Sequence, residues 1–289
     1  MGNDNTNLQN LREEIDKIDK RLHDLIMKRS SVVARIRDVK KRANADIFHP
    51  GREAEVLRRL AARHKGELSC GVVLRIWREL ISGLVGIQVK FSVAVFEKND
   101  PSYWDIARDY FGTKTTLFRF ATARGVLQAV ADGSAMAGVI PIPDESSDAW
   151  WPSLVGIKDE ESVRICGRLP FFPGSNGRGG SMEALLISKA TPVSTSEDCS
   201  FLLIECGAPF SKGRMVDLLE QSKLDPVSIV SVPLETNDSR RLLFLIEVKG
   251  FVEITDECFI KLKVMDDEIT FAKIAGTYAV PLMLSREQK

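Results

Sequence analysis

LREEIDKIDKRLHDLIMKRSSVVARIRDVK, Leu11 to Lys40, decides how the chain begins. With Leu8 just ahead of it, the apolar residues Leu8, Leu11, Ile15, Ile18, Leu22, Leu25, Val32, Ile36 and Val39 recur at spacings of three and four, and only seam position 29 is filled otherwise. That rhythm predicts one helix over 8–39, about 32 residues and roughly 48 Å at 1.5 Å per residue. Such a helix cannot bury its own stripe. Asn44 to Gly51, with Pro50, breaks it; a second helical pattern runs from Arg52 to about His64 (Val56, Leu57, Leu60) and a third from Gly71 to Gln88 (Leu74, Trp77, Ile81, Leu84). Three helices, the first longer than the other two can cover, predict a homodimer.

After Val89 the texture changes to short apolar runs punctuated by Gly and Pro. Strands are expected at 91–96, 117–121 and 136–142, with helices at 102–111 and 123–131 between them: a small α/β lobe with a largely parallel sheet. Residues 150–178 read as loop-rich, and 183–187 as a further strand. The last unit reads strand 201–206, helix 212–221, strand 227–233, strand 241–248, helix 256–264, strand 269–274, which is the βαββαβ, ferredoxin-like order. The expected domains are therefore 1–90, 91–192 and 193–289.

The 289 residues, 44% hydrophobic and 28% charged, suit two or three globular domains and exclude a disordered, collagenous or disulfide-framework protein. The longest weakly polar run, Leu80 to Val89, is about half what a bilayer span needs, and MGNDNTNLQN lacks a secretory pattern, so the expectation is a cytoplasmic protein that does not engage a membrane. The five cysteines form no CxxC pair and lie far in sequence from His23, His49 and His64; they read as buried or incidental thiols, with no metal and no cofactor expected. The zero net charge hides an asymmetry. Residues 1–90 hold 19 Lys+Arg against 12 Asp+Glu, and the remainder is acidic by the same margin. The first third should meet an anion: a small acid, a nucleic acid, or the acidic remainder of its own chain. Its basic residues alternate with acids, as in EEIDKIDKR, without an interleaved Gly or aromatic stripe, which argues against nucleic acid.

The seams fail at informative places. Position 29, where an apolar residue belongs, is Arg29; Glu53 stands in line with Leu57 and Leu60; Gln88 stands in line with Leu74, Trp77, Ile81 and Leu84. Lys40 follows Arg29 by eleven residues, three turns, and so projects from nearly the same face about 16 Å further on. Arg12 is turned by about 100° and cannot readily reach the same cavity on its own subunit, whereas a dimer mate could supply it. Each residue alone has a plainer explanation: a register-specifying Arg, a solvated Lys40–Lys41–Arg42 helix end, a first-turn Glu53 favoured by the macrodipole. None covers Arg29, Lys40, Arg52, Glu53 and Gln88 together. An unpaired guanidinium in a core costs several kcal/mol, so these groups need each other or a buried anion.

LREEIDKIDKRLHDLIMKR, then Lys40, then REAEVLRRL from Arg52, then LRIWRELISGLVGIQ ending at Gln88, resemble the all-helical class of chorismate mutases across residues 8–88. That resemblance implies an intertwined dimer of three-helix chains that takes chorismate to prephenate. It implies that Arg12 of one protomer and Arg29 of the other bind the two carboxylates, that Arg52 assists, that Glu53 takes the ring hydroxyl, and that Lys40 with Gln88 donate to the ether oxygen. Two positions depart from the family pattern: His49 stands where many members have Asp, and Leu84 where a Ser often stands, each implying one lost polar contact. The reaction is pericyclic and needs no nucleophile, metal or proton transfer. The enzyme holds the compact conformer and places fixed cations where negative charge builds.

SVAVFEKNDPSYWDIARDYF and AVADGSAMAGVIPI resemble the first part of a prephenate dehydratase domain, while the family's late Thr-Arg-Phe motif is absent; LFRFATARG has an Arg-Phe pair, but early. A cleft lacking one wall cannot exclude water, so this lobe is expected to be a structural remnant without dehydratase activity. The last unit resembles an ACT domain, implying an amino-acid effector near Ser211 to Met215 and Val230 to Pro233, where Val replaces the family's Glu and Arg. Three readings follow: a chorismate mutase with degenerate C-terminal domains, a bifunctional chorismate mutase and prephenate dehydratase, and a non-enzymatic helical dimer with a ligand-sensing unit.

Overall fold

The computed structural model describes residues 2–43, 45–98, 101–146, 148–156, 163–172, 182–207, 209–236 and 239–284. The chain divides into two compact units, Met1–Ile47 with Leu84–Lys90, and Phe48–Gly83 with Phe91–Lys289. The cuts fall after Ile47, Gly83 and Lys90, so residues 48–83 are counted with the sheet.

The first unit holds α1 (Gly2–Ala43) and the last turn of α3 (Cys70–Gln88). At 42 residues α1 outruns the predicted 8–39 at both ends. Lys40, Lys41 and Arg42 in its last turn complement the negative end of the helix dipole. Its seam residues from Leu8 to Val39 are exposed, Leu25 to 62%. Among the described residues no helix is long and apolar enough to cross a membrane.

The second unit is built on one nine-stranded sheet in the order β2-β1-β3-β5-β4-β9-β6-β8-β7, with β1 (Ser92–Phe96), β2 (Thr116–Phe120), β3 (Ala137–Pro141), β4 (Arg164–Leu169), β5 (Ala184–Ser188), β6 (Asp198–Gly207), β7 (Pro226–Thr236), β8 (Ser239–Lys249) and β9 (Ile269–Ala279). The helices of this unit are α2 (Pro50–Arg63), most of α3, α4 (Ser102–Phe111), α5 (Ala123–Ala131), α6 (Lys212–Gln221) and α7 (Glu257–Val264). Two expectations need correction. The lobe's sheet is mixed: β2, β1 and β3 are parallel, but β5 runs antiparallel to both β3 and β4. The stretch 150–178, read as loop, contains β4 and a 3₁₀ turn, Trp151–Leu154. β4 is short and interrupted by Gly167 and Arg168, so it lacks a strand-like local pattern; its place between β5 and β9 makes it a strand.

The βαββαβ order is as read, and its strands lie β9-β6-β8-β7, the ferredoxin-like arrangement. No sheet break separates this unit from the lobe. β4 pairs with β9 through Ile165 and Gly276, and a Cβ at Gly276 would run into the backbone of Ile165, so only glycine permits the junction. Side-chain alternation gives the sheet two cores. Phe201, Leu203, Leu243 and Leu245 pack with α5 and the fully buried Trp151, while Leu202, Ile204, Phe244 and Ile246 pack with Met215 and Leu219 of α6 and Phe259 and Leu262 of α7.

α2 is fastened to this sheet unit. Arg58 donates to Thr195 Oγ1 at 2.9 Å, and to the carbonyls of Glu197 and Val280, both at 2.8 Å. Phe48, Phe91 and Phe111 stack with centroids 5.0 to 6.0 Å apart, tying the start of α2 to the end of α4.

Candidate active site

In the first unit, Arg29 is half-buried and its Nη1 is sealed without a hydrogen-bond partner. Burial holds the guanidinium below its ordinary pKa. Gln88 gives one N–H to Leu84 O at 3.3 Å, while its Oε1 is sealed without a partner. A third such atom, Glu97 Oε2, belongs to the other unit and has an ion-pair partner, Arg119 Nε, at 3.0 Å. An unsatisfied buried group costs about 1–3 kcal/mol, more when charged, so the two in the first unit call for an explanation. Lys40 is part-buried and its Nζ donates to Ile47 O at 3.3 Å, which restrains the head of an otherwise floppy side chain. Arg12 is exposed and Leu84 is buried.

In the second unit, Pro50 starts α2 and His49 caps it through its backbone, with Glu53 N–H reaching His49 O at 3.1 Å. Arg52 is exposed and Glu53 is buried. The sequence reading left Glu53 open to a substrate; the structure gives it a partner that reading missed. Arg78 Nη1 lies 2.8 Å from Glu53 Oε2, and the Tyr110 hydroxyl donates to the same oxygen at 3.4 Å. The signal for Arg78 was present. It stands four residues after buried Leu74 and three before buried Ile81, a charge inside an apolar stripe, just as Arg29 is. The inward line of α3 runs through Arg78, and Trp77 is only half-buried.

Two further expectations fall in this unit. The carboxyl ends of β1, β2 and β3 open on a cavity of about 330 Å³ lined by Phe96, Lys98, Thr122, Arg124, Asp144 and Trp150 among others. Arg119 of the Arg-Phe pair is exposed, pairing with Glu97 and stacking 4.3 Å over Trp104. In the effector stretch, Ser211 Oγ caps α6 by accepting from Arg214 N at 3.1 Å. Lys212 Nζ and the Ser231 N–H both donate to Glu145 Oε1, which keeps that carboxyl below its ordinary pKa.

Residues 11–89 match the family model for chorismate mutase type II. This stretch is similar to the chorismate mutase type II family. It is 31% identical over 140 residues to the bifunctional chorismate mutase/prephenate dehydratase of Aquifex aeolicus, covering 47% of this chain and 38% of that one. It is 28% identical over 171 residues to the protein of the same name from Pseudomonas aeruginosa, covering 57% of this chain and 47% of that one. The mutase-type match takes in less than a third of the chain, so these likenesses run on into the sheet unit, and they span less than half the length of either relative. Among solved structures, the prephenate dehydratase of Streptococcus mutans aligns at TM-score 0.45 and 17% identity, covering 67% of this chain and 100% of that one. A chain titled GqqA, a novel type of quorum quenching acylase, aligns at TM-score 0.47 and 16% identity, covering 65% and 95%. The chain is thus similar to fused chorismate mutase and prephenate dehydratase proteins, with the mutase-type helices leading into a mixed α/β sheet.

Proposed function

We propose that this chain is a cytoplasmic chorismate mutase of aromatic amino-acid biosynthesis, acting as a homodimer and needing no cofactor. The observation that carries the reading is the sealed, unsatisfied Arg29 Nη1, in the unit whose helix leaves an apolar seam exposed. A guanidinium N–H sealed from water without an acceptor is stabilised when an anion arrives, and chorismate brings two carboxylates.

The rearrangement breaks the ether C–O bond and forms a C–C bond with no proton moved, so the protein's part is conformational and electrostatic. Arg29, with Arg12 of the second copy and Arg52, takes the carboxylates. Lys40 donates to the ether oxygen as negative charge builds there. Gln88 assists with its second amide N–H, the first being committed to Leu84 O. Glu53 accepts the ring hydroxyl; His49 and Leu84 make no polar contact with substrate. Packing the α1 seams of two copies together removes the exposed apolar stripe and brings each Arg12 to the other copy.

The test is loss of chorismate ultraviolet absorbance with the purified chain and appearance of prephenate by chromatography; a chain that leaves chorismate intact ends this reading. The cavity at the ends of β1, β2 and β3 favours a second reading, dehydratase chemistry on prephenate. Our reading is that the lobe lacks it, and phenylpyruvate formed from added prephenate would decide for the bifunctional alternative. An amino-acid effector at residues 211–215 and 230–233 would have to displace Glu145 from Lys212 and the Ser231 N–H.

A further inference from the structure

We infer that Arg78 and Tyr110 are positioning residues for Glu53, so that the mutase reaction of this chain draws on a side chain outside the mutase-type match. The inference rests on the reading that Glu53 accepts the substrate's ring hydroxyl.

Arg78 is 3% exposed and engaged through all three of its side-chain nitrogens. Its Nη1 donates to Glu53 Oε2 at 2.8 Å, while Nε and Nη2 both donate to the Tyr110 carbonyl at 3.0 and 2.7 Å. The guanidinium carbon lies 3.8 Å from the Tyr110 ring centroid, a cation–π contact that keeps the plane of the fork from rotating. Ser82 Oγ, one turn further along α3, donates to the same Tyr110 carbonyl at 3.3 Å. Three helices therefore meet at one rigid bracket: α2 through Glu53, α3 through Arg78 and Ser82, and α4 through Tyr110.

The direction of these bonds separates positioning from mere ion pairing. Both donors converge on Oε2. Oε1 receives no hydrogen bond among the described residues that would compete with a ligand hydroxyl. A bidentate guanidinium fork, the geometry that satisfies a carboxylate best, would have used both oxygens. Here the fork is turned so that its second arm and its Nε hold the Tyr110 backbone instead. Burial pushes the Tyr110 phenol well above its ordinary pKa, so it stays protonated and remains a donor. Burial alone would lower the Arg78 guanidinium, but Tyr110 and Glu53 carry it above its usual value, so it stays a cation.

Tyr110 lies in α4, beyond residue 89 where the mutase-type match ends. The Arg58 clamp to Thr195, Glu197 and Val280 holds α2, the helix that carries Glu53. The α/β lobe thereby acquires a role that needs no chemistry of its own: it sets the pose of a substrate-facing carboxylate.

The experiment compares full-length parent and Tyr110→Phe, which keeps the ring and the backbone carbonyl, on chorismate and on a chorismate analogue lacking the ring hydroxyl. Positioning predicts that kcat/KM for chorismate falls about 3–10-fold, the scale of one hydrogen bond, while the analogue reacts equally with both proteins. Arg78→Gln should lose more on chorismate, about 10²-fold, again with the loss concentrated on the hydroxylated substrate. Equal losses on both substrates would mean general loosening and overturn the inference, as would an active parent unaffected by Tyr110→Phe. A parent that leaves chorismate untouched overturns the mutase reading itself and this inference with it. Thermal melting of each variant identifies unfolding; should Arg78→Gln melt out, the Tyr110→Phe comparison decides alone.

Discussion

In α1, Leu22 and Leu25 stand 52% and 62% exposed while Arg29 Nη1 is sealed away from any acceptor. In β8, Glu247 is 3% exposed and carries bonds from Arg168 at 3.1 Å, from Ser228 at 2.9 Å and from the Tyr278 hydroxyl. One region leaves greasy surface in water and a guanidinium nitrogen without an acceptor among the described residues; the other joins a buried carboxylate to three donors. A network such as that around Glu247, with three donors on one carboxylate, gains geometry. An open one is tolerable only where something else completes it. The contrast is between polarity used to hold a fold and, on our proposal, polarity kept for a guest.

The comparison breaks most easily at the seam. Leu22→Glu with Leu25→Glu removes four apolar side chains from a symmetric pair of helices. At about 1.5–3 kcal/mol each, association should weaken by about 10⁴-fold or more. Sedimentation should show monomers, and a chain that sediments alike with and without the changes would mean that the seam meets something other than a second copy. Next in size is the sheet unit's own core. Trp151→Ala should destabilise that unit by about 3–5 kcal/mol in urea titration while leaving the oligomeric state alone. A dimer lost along with that stability would show that the two regions do not act independently.

Lys40→Ala sharpens the guest side of the contrast. It should lower kcat on chorismate by about 10²- to 10³-fold with little change in melting temperature, because the ammonium meets charge that develops only during reaction. Equal rates for variant and parent would remove Lys40 from the chemistry. The smallest effect belongs to the clamp on α2. Ser196 N–H and hydroxyl, with Arg58, hold the Glu55 carboxyl below its ordinary value. A depressed folded pKa gives stability that is present above the unfolded value near 4.5 and lost as pH falls through the folded one. Glu55→Gln should therefore flatten the melting profile below about pH 4.5, by only about 1 °C, since this mostly exposed group is screened by solvent. A profile unchanged in shape would show that the clamp rests on Arg58 alone.

Much of the fold was legible because its elements are locally written. The three-and-four spacing gave α1, Pro50 with the following apolar period gave α2, and the bounds of α6 agree residue for residue with the pattern 212–221. β4 was not legible, since RICGRL carries a glycine and two arginines in six residues and becomes a strand only by filling the gap between β5 and β9. The site was half legible. Arg29, Lys40 and Gln88 announce themselves by interrupting apolar stripes or sharing their face, and the structure finds sealed, unsatisfied atoms on two of the three. Arg78 interrupts a stripe in the same way, but Trp77 beside it is the more familiar inward residue.

Periodicity, charge balance and residue type, all properties of neighbours within a turn or two, settled which segments are helix or strand and where cations break the apolar faces. Which carboxylate meets which guanidinium was decided only in three dimensions: Glu53 and Arg78 are 25 residues apart, Tyr110 is 32 beyond Arg78, and Ile165 finds Gly276 at a separation of 111 residues. The reason is physical. A hydrogen bond depends on distances of about 3 Å and on angle, which chain separation does not encode, whereas the turn of a helix depends on nothing but the residues within it.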